Sequence, residues 1–398
     1  METKVVGTFD TKAFIKNNIR SYSMFIVLVL IMAVFALRTD GVNLSPRNIT
    51  NIFFQNSYVL ILAIGMVQVI IVRGIDLSVG SVCAFVGVLS VMIYNTGIGM
   101  PLTLVASILM GLGIGAFQGL WVAYAKLPAF IVTLAGMLLF RGLTYIVTQA
   151  RSISIKDDGY AMLSTGTLDE ALGLGQVGPY YPLPFVFAGV IIAVFFLVES
   201  LSRRAKVADG FDVPPLPLFL AKLVIVAALA LWLADRFARF RGLPIVVIVL
   251  GITIFAFHFM LNHTVLGRYI YAVGGNDRSA KLSGINSEFV TFIVFAIMGG
   301  LTGLAAVVST GFMNTALPQA GNLFELDAIA ACYIGGVSAG GGIGTVLGVV
   351  VGGLVMSAIN NGMSLMFLGT DFQYVVKAVI LLLAVFYDIY TRRKAGLG

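Results

Sequence analysis

Apolar runs of membrane length recur along the whole chain, and they constrain its fold more than any other feature. The hydrocarbon core of a bilayer is about 30 Å thick, which a helix crosses in about 20 residues. Runs near that length occupy approximately 22–37, 57–72, 77–95, 101–125, 129–148, 183–198, 217–234, 243–260, 289–308, 327–340, 343–361 and 371–390. Barrel strands would instead alternate in polarity over segments of about ten residues. Charged residues make up 11% of the chain and apolar ones 59%, whereas a soluble domain carries about 25% charge. Too few charges remain to cover a globule in water. The expected fold is therefore all-α, a polytopic membrane bundle, taken as one transmembrane domain over residues 1–398.

The first run follows Lys4, Lys12, Lys16 and Arg20 without a small-residue cleavage site behind it, so it reads as an uncleaved span. The 327–361 pair is so rich in glycine that a broken or re-entrant span is expected there. Lys and Arg in short loops set orientation. With the N-terminus inside, the cytoplasmic segments hold the four N-terminal basic residues, Lys126, Arg203/Arg204/Lys206, Arg268/Arg278/Lys281 and Arg392/Arg393/Lys394. Both termini are then cytoplasmic. Residues 150–182 form an exterior loop with Asp157, Asp158, Asp169 and Glu170, and 262–288 form a cytoplasmic one. Arg236, Arg239 and Arg241 fall outside and violate the rule.

Several chemistries find no support. No G-x-x-x-x-G-K-[ST] phosphate cradle or H-E-x-x-H occurs. G-L-G-Q-V-G (Gly173–Gly178) matches a dinucleotide fingerprint by letters alone, since no strand precedes it. Cys83 and Cys332 sit in apolar surroundings and read as small buried residues. His258 and His263 lack a ligand cluster and read as interface histidines. No metal site, no cofactor on this chain and no catalytic residue is expected. The net charge of +7 belongs to loops and gives no ground for nucleic-acid binding.

Two polar stretches interrupt the apolar pattern. Val72–Ser81, V-R-G-I-D-L-S-V-G-S, reads as a tight helix junction. Gly74 and Gly80 permit a sharp turn and close packing, Arg73 and Asp76 reach water or pair, and Asp76 or Ser78 caps the next helix. Gly267–Asn286 carries Gly274, Gly275 and Asn276 as a turn, then Asp277–Leu282 as a short amphipathic helix with Asn276 or Asp277 as its cap and Gly284 as its stop. Such a helix fits a groove on a soluble partner, or is an ordinary solvated loop. A weak echo links Ser78–Met92 with Gly342–Met356, through generic small-residue packing or an old repeat.

Ala272–Asn286, A-V-G-G-N-D-R-S-A-K-L-S-G-I-N, resembles the cytoplasmic loop of permeases in the ribose, xylose and galactose class of ATP-binding-cassette sugar importers. G-I-D-L-S-V-G-S (Gly74–Ser81), E-L-D-A-I-A-A-C-Y-I-G-G-V-S-A-G-G-G-I-G (Glu325–Gly344) and Q-Y-V-V-K-A-V-I-L-L-L-A-V (Gln373–Val385) agree with it, in order. The extra segment 199–242 is similar to that of xylose and multiple-monosaccharide permeases. The resemblance implies a bundle of about ten core spans plus an inserted pair in a bacterial inner membrane. It also implies a homodimer that imports a pentose or hexose by alternating access. An ATPase subunit would dock on Gly274, Gly275, Asn276, Asp277, Arg278, Ala280, Lys281 and Gly284, and a periplasmic sugar-binding protein on the outer loops.

A sugar path needs polar side chains within spans, where ionisable groups point to function. The candidates are Gln68, Asn314, Glu325, Asp327, Asn360, Asn361, Gln373 and Lys377, with Arg141 beside them. Asp327 and Lys377 either serve the path or pair structurally. A rival reading is an ion-coupled secondary sugar transporter using Asp327 or Asp76; another is a scaffold or receptor-like membrane protein.

Overall fold

The computed structural model describes residues 11–211 and 213–394, with side chains from Met24 to Tyr390 apart from residues 212, 387 and 388. The side chains of Lys4, Lys12, Lys16, Arg20, Arg392, Arg393 and Lys394, on which the expected orientation leans, lie outside the described residues. Helices dominate: α1 (Thr11–Arg38), α2 (Pro46–Ile71), α3 (Val79–Asn95), α4 (Met100–Ala123), α5 (Ala129–Thr148), α6 (Met162–Thr165), α7 (Leu168–Ala171) and α8 (Leu183–Ala208) come first. They are followed by α9 (Leu216–Ala238), α10 (Ile245–His263), α11 (Val265–Gly275), α12 (Asp277–Leu282), α13 (Ser287–Met313), α14 (Phe324–Ile334), α15 (Val346–Leu365) and α16 (Thr370–Lys394). Among the described residues, α2, α4, α5, α8, α9, α10, α13 and α15 are long and apolar enough to cross a membrane. The Met24–Arg38 part of α1 and α3 are shorter apolar helices.

The broken span expected in the glycine-rich 327–361 pair falls on its first member. Residues 327–340 do not form a crossing helix, because α14 has 11 residues, about 16 Å at 1.5 Å per residue. That is roughly half the hydrocarbon thickness. Its end is set by glycine: Gly336, Gly341 and Gly342 adopt positive φ, a region that only glycine enters freely. The expected turn at Gly274–Gly275 is also corrected, since both residues close the last turn of α11. Helix α8 runs on to Ala208, so the extra segment from Glu199 begins inside a helix rather than after one.

The chain divides into two compact units. Among the described residues the first comprises 11–23, Ser45–Thr50 and Thr167–Pro244. Its centre is the hairpin of α8 and α9. Lys222 of α9 reaches Glu199 of α8 at 2.6 Å and lies over the Phe195 ring. Arg203 donates to the Pro214 carbonyl and covers Phe219. The three arginines that break the charge rule all have partners here. Asp235 takes Arg236 at 3.2 Å and Arg239 at 2.7 Å, Arg239 donates to the Tyr180 hydroxyl, and Arg241 meets Glu170 at 2.9 Å. Asp169, fully buried, accepts from the Leu243 amide at 2.7 Å.

The second unit holds Met24–Leu44, Asn51–Gly166 and Ile245 onward. Helices α2, α13 and α15 form its buried centre, with most of their apolar residues packed inside the protein. Helix α4 meets α13 backbone to backbone. A Cβ on Gly111 or Gly115 would overlap the carbonyl oxygen of Gly299 or Phe295, and a Cβ on Gly303 would overlap that of Ser107. Small residues allow this approach, which lets dispersion hold helices together where the hydrophobic effect cannot. Two short strands, β1 (Ile153–Ser154) and β2 (Thr315–Ala316), pair antiparallel across this unit. Beside them Tyr94 Oη donates to Asp157 Oδ1 at 2.5 Å. Cys83 and Cys332 are buried and free, as their surroundings suggested.

Candidate functional site: a three-segment junction and a buried charge cluster

Helix α2 ends because Arg73 turns into the left-handed region at φ 64°. The Gly74 amide then bonds the Val69 carbonyl at 2.8 Å and the Arg73 amide that of Ile70 at 2.9 Å, satisfying the last carbonyls of the helix. The strained position falls on Arg73, not on Gly74 as expected. Such a residue costs on the order of 1–3 kcal/mol and persists only where its surroundings fix it.

The surroundings are carbonyls. Arg73 Nε donates to the Gly274 carbonyl at 2.8 Å and an Nη to that of Gly275 at 2.6 Å. These are charge-assisted bonds onto the C-terminal end of α11, where the helix dipole favours a cation. A third segment closes the junction. The Gly342 amide donates to the Ile71 carbonyl at 2.9 Å, and Tyr271 Oη to that of Gly344 at 2.7 Å. A Cβ on Gly274 would overlap the Ile71 carbonyl oxygen, and one on Gly341 would overlap the Arg73 stem.

Beyond Gly275 the chain enters α12, on the residues read from the sequence. Asn276 Oδ1 accepts from the Ser279 amide at 3.0 Å, and Gly284 ends the turn at φ 82°. Ala280 is buried, while Gly275, Asn276, Asp277, Arg278 and Lys281 are exposed and Leu282 is 84% exposed. Lys281 meets Asp277 at 3.1 Å and Glu288 at 3.0 Å. The bonds it donates to Glu288 and Asp277 raise the Lys281 ammonium above its ordinary range. Partial burial pulls the Asp277 carboxyl upward, but the neighbouring Ser287 and the Lys281 ammonium outweigh it and hold it low.

The rest of the opening motif is corrected. Asp76 neither reaches water nor pairs with Arg73; it is buried and accepts from the Ser78 amide at 2.8 Å and the Ser78 hydroxyl at 2.6 Å. Ser78 begins α3 without a side-chain cap, because its hydroxyl is also engaged with Gln118 of α4. Gln118 is a site residue that sequence reasoning missed. A lone amide between Gly115 and Gly119 in an apolar run was the available signal. Gly80 does permit close packing, since a Cβ there would overlap the Gly321 carbonyl oxygen.

That contact leads to the charges around α14. Glu325 and Asp327 lie buried in its first turn, where the dipole favours anions. Lys377 of α16 meets Asp327 at 2.9 Å, and Asn360 of α15 lies beside it. Arg141 of α5 donates to the carbonyls of Pro318 and Ala320 at 3.0 and 2.6 Å, fixing the approach to α14. Tyr58 of α2 stacks on Phe324 at 4.0 Å between centroids, another residue unforeseen. Of the other path candidates, Gln68 is buried and donates to Ile64 of its own helix. Asn361 is buried in α15. Gln373 donates to Leu368, and Asn314 is exposed at the end of α13. These contacts tie Gln68 and Gln373 to neighbouring backbone rather than to the charges.

Residues 48–385 match the family described as the permease component of the branched-chain amino acid transport system. The chain belongs to this family of permeases. Within it, the chain is 39% identical to the xylose transport system permease protein XylH of Haemophilus influenzae, over 95% of this chain and 98% of the relative. The Escherichia coli XylH is 38% identical over 95% and 94%, and the ribose import permease protein RbsC of E. coli 33% over 98% and 99%. No solved structure matches it. The junction and α14 both lie within the matched residues.

Proposed function

We propose that this chain is the membrane-spanning subunit of an ATP-driven monosaccharide importer, with ATP hydrolysed on a separate subunit. The observation that carries the reading is α12: a helix capped by Asn276, stopped by Gly284, and presenting Arg278 and Leu282 outward. An exposed leucine beside charges is the pattern of a helix that fits a groove on a soluble partner. The names of the 38–39% and 33% relatives, xylose and ribose permeases, support a monosaccharide as the substrate class.

In this reading α12 faces the cytoplasm, two copies of the chain form the permease, and a periplasmic binding protein delivers the sugar. Closure of the ATPase pair moves α12, and the movement exposes the path to alternate sides. The charges of α14 lie along or beside that path, with Lys377 and Asp327 holding α16 against it. The test is reconstitution in liposomes with the ATPase and binding protein encoded beside the gene. Xylose or ribose uptake should need ATP and survive ionophores that collapse ion gradients. Uptake that runs on a gradient without ATP would overturn the proposal in favour of a secondary transporter.

A further inference from the structure

We infer that Arg73 is a positioning residue that transmits the movement of α12 into the transmembrane core; this rests on the reading of α12 as the docking helix. The route is contiguous. Arg73 is bound through two hydrogen bonds to the carbonyls that close α11, one residue before the Asn276 cap of α12. Its own backbone terminates α2, a helix buried along most of its length. From α2, Tyr58 stacks on Phe324 at the first turn of α14, which holds Glu325 and the Asp327–Lys377 pair.

The geometry separates this role from simple packing. Arg73 is exposed, so its side chain contributes little buried area. Its left-handed backbone is a strained state that closes α2, and the guanidinium of the same residue is bonded to the carbonyls that close α11. Movement of Gly274 and Gly275 therefore acts on the end of α2 directly. A flexible contact would dissipate it; a planar guanidinium bonded to two carbonyls has fixed direction. The Gly342–Ile71 bond adds the 335–345 segment to the same junction, so α14 is reached from both of its ends.

The experiment compares wild type, Arg73→Gln and Arg73→Lys in the assembled importer. It measures co-purification of the ATPase, stimulation of ATP hydrolysis by the sugar-loaded binding protein, and sugar taken up per ATP. Arg73→Gln should keep the ATPase bound and lose about tenfold in uptake per ATP, the scale of a coupling free energy. Arg73→Lys, with one point donor in place of two, should recover part of the loss. Unchanged uptake per ATP in Arg73→Gln, with the ATPase bound, overturns the inference. So does loss of the ATPase from Arg73→Gln with wild-type melting, which makes Arg73 a direct docking contact. Loss of melting stability in Arg73→Gln and Arg73→Lys alike makes it a structural residue and also overturns it. Failure of the wild-type chain to bind any ATPase, with gradient-driven uptake, instead defeats the reading of α12.

Discussion

Lys377 Nζ lies 2.9 Å from Asp327 Oδ2, joining α16 to the first turn of α14, with 16% and 3% of the two side chains exposed. Removing one member of such a pair strands a charge and costs about 3–5 kcal/mol, while replacing both by apolar residues is often close to neutral. Asp327→Asn and Lys377→Met should each lower the melting temperature of the detergent-purified chain. The Asp327→Leu/Lys377→Met double variant should melt near wild type and still transport poorly. Wild-type uptake in the double variant would assign the pair to scaffolding alone.

Gly274 and Gly275 are adjacent, yet they should respond in opposite ways to a methyl group. A Cβ on Gly274 runs into the Ile71 carbonyl and the Gly342 amide, whereas one on Gly275 meets nothing within 4 Å. Gly274→Ala is expected to destabilise by about 1–3 kcal/mol, the usual cost of overpacking. Gly275→Ala should leave folding within about 0.5 kcal/mol of wild type. Thermal melts of the two purified variants decide the matter, and equal melts would mean the junction is looser than its geometry.

The α4–α13 contact makes a similar contrast. Gly299→Val would drive a side chain into the Gly111 carbonyl, while Gly113, one position along from the packed face, has open space around it. The first substitution should reduce folded yield sharply and lower the melting point by the equivalent of at least about 1–3 kcal/mol. Gly113→Ala should be silent. Size-exclusion profiles and melts of both would reveal any exchange of roles.

Asp157 supplies a pH dependence. The Tyr94 hydroxyl and the Gly159 amide bond its carboxylate and hold it below the ordinary range. A group depressed on folding adds stability that is present above its unfolded value, about 3.9, and is lost as pH falls through the lower folded value. The wild-type melting point should therefore be insensitive to this group from about pH 5 upward and fall on acidification below about pH 4. In Asp157→Asn the acid limb should be shallower. An acid limb unchanged by the substitution would show that the Tyr94 bond does not survive in solution.

Local signals made α12 readable in advance: an Asn cap, a helical hexapeptide and a stopping glycine lie within nine consecutive residues, Asn276–Gly284. The partners of Arg73 were not readable, because Gly274 is 201 residues away in sequence and no local pattern records that distance. Apolar composition revealed the crossing helices, and the glycine content of 327–361 signalled the break that hydropathy alone does not register at the end of α14. Asp76 looked like a residue that reaches water or pairs because it lies in a tight turn between two apolar runs; its buried carboxylate is met by Ser78, whose own hydroxyl meets Gln118 of another helix. Two-residue strands such as β1 and β2 are too short to show any periodicity.

The Glu199–Lys222 pair between α8 and α9 bears on how the chain is made. Lys222 sits inside the apolar run of α9, so α9 entering the bilayer alone would carry an ionised side chain, at a cost of a few kcal/mol on insertion scales. Entering with α8, it has Glu199 as its counter-charge. The two helices should therefore leave the insertion machinery as one unit, the first waiting at its exit until the second has been synthesised.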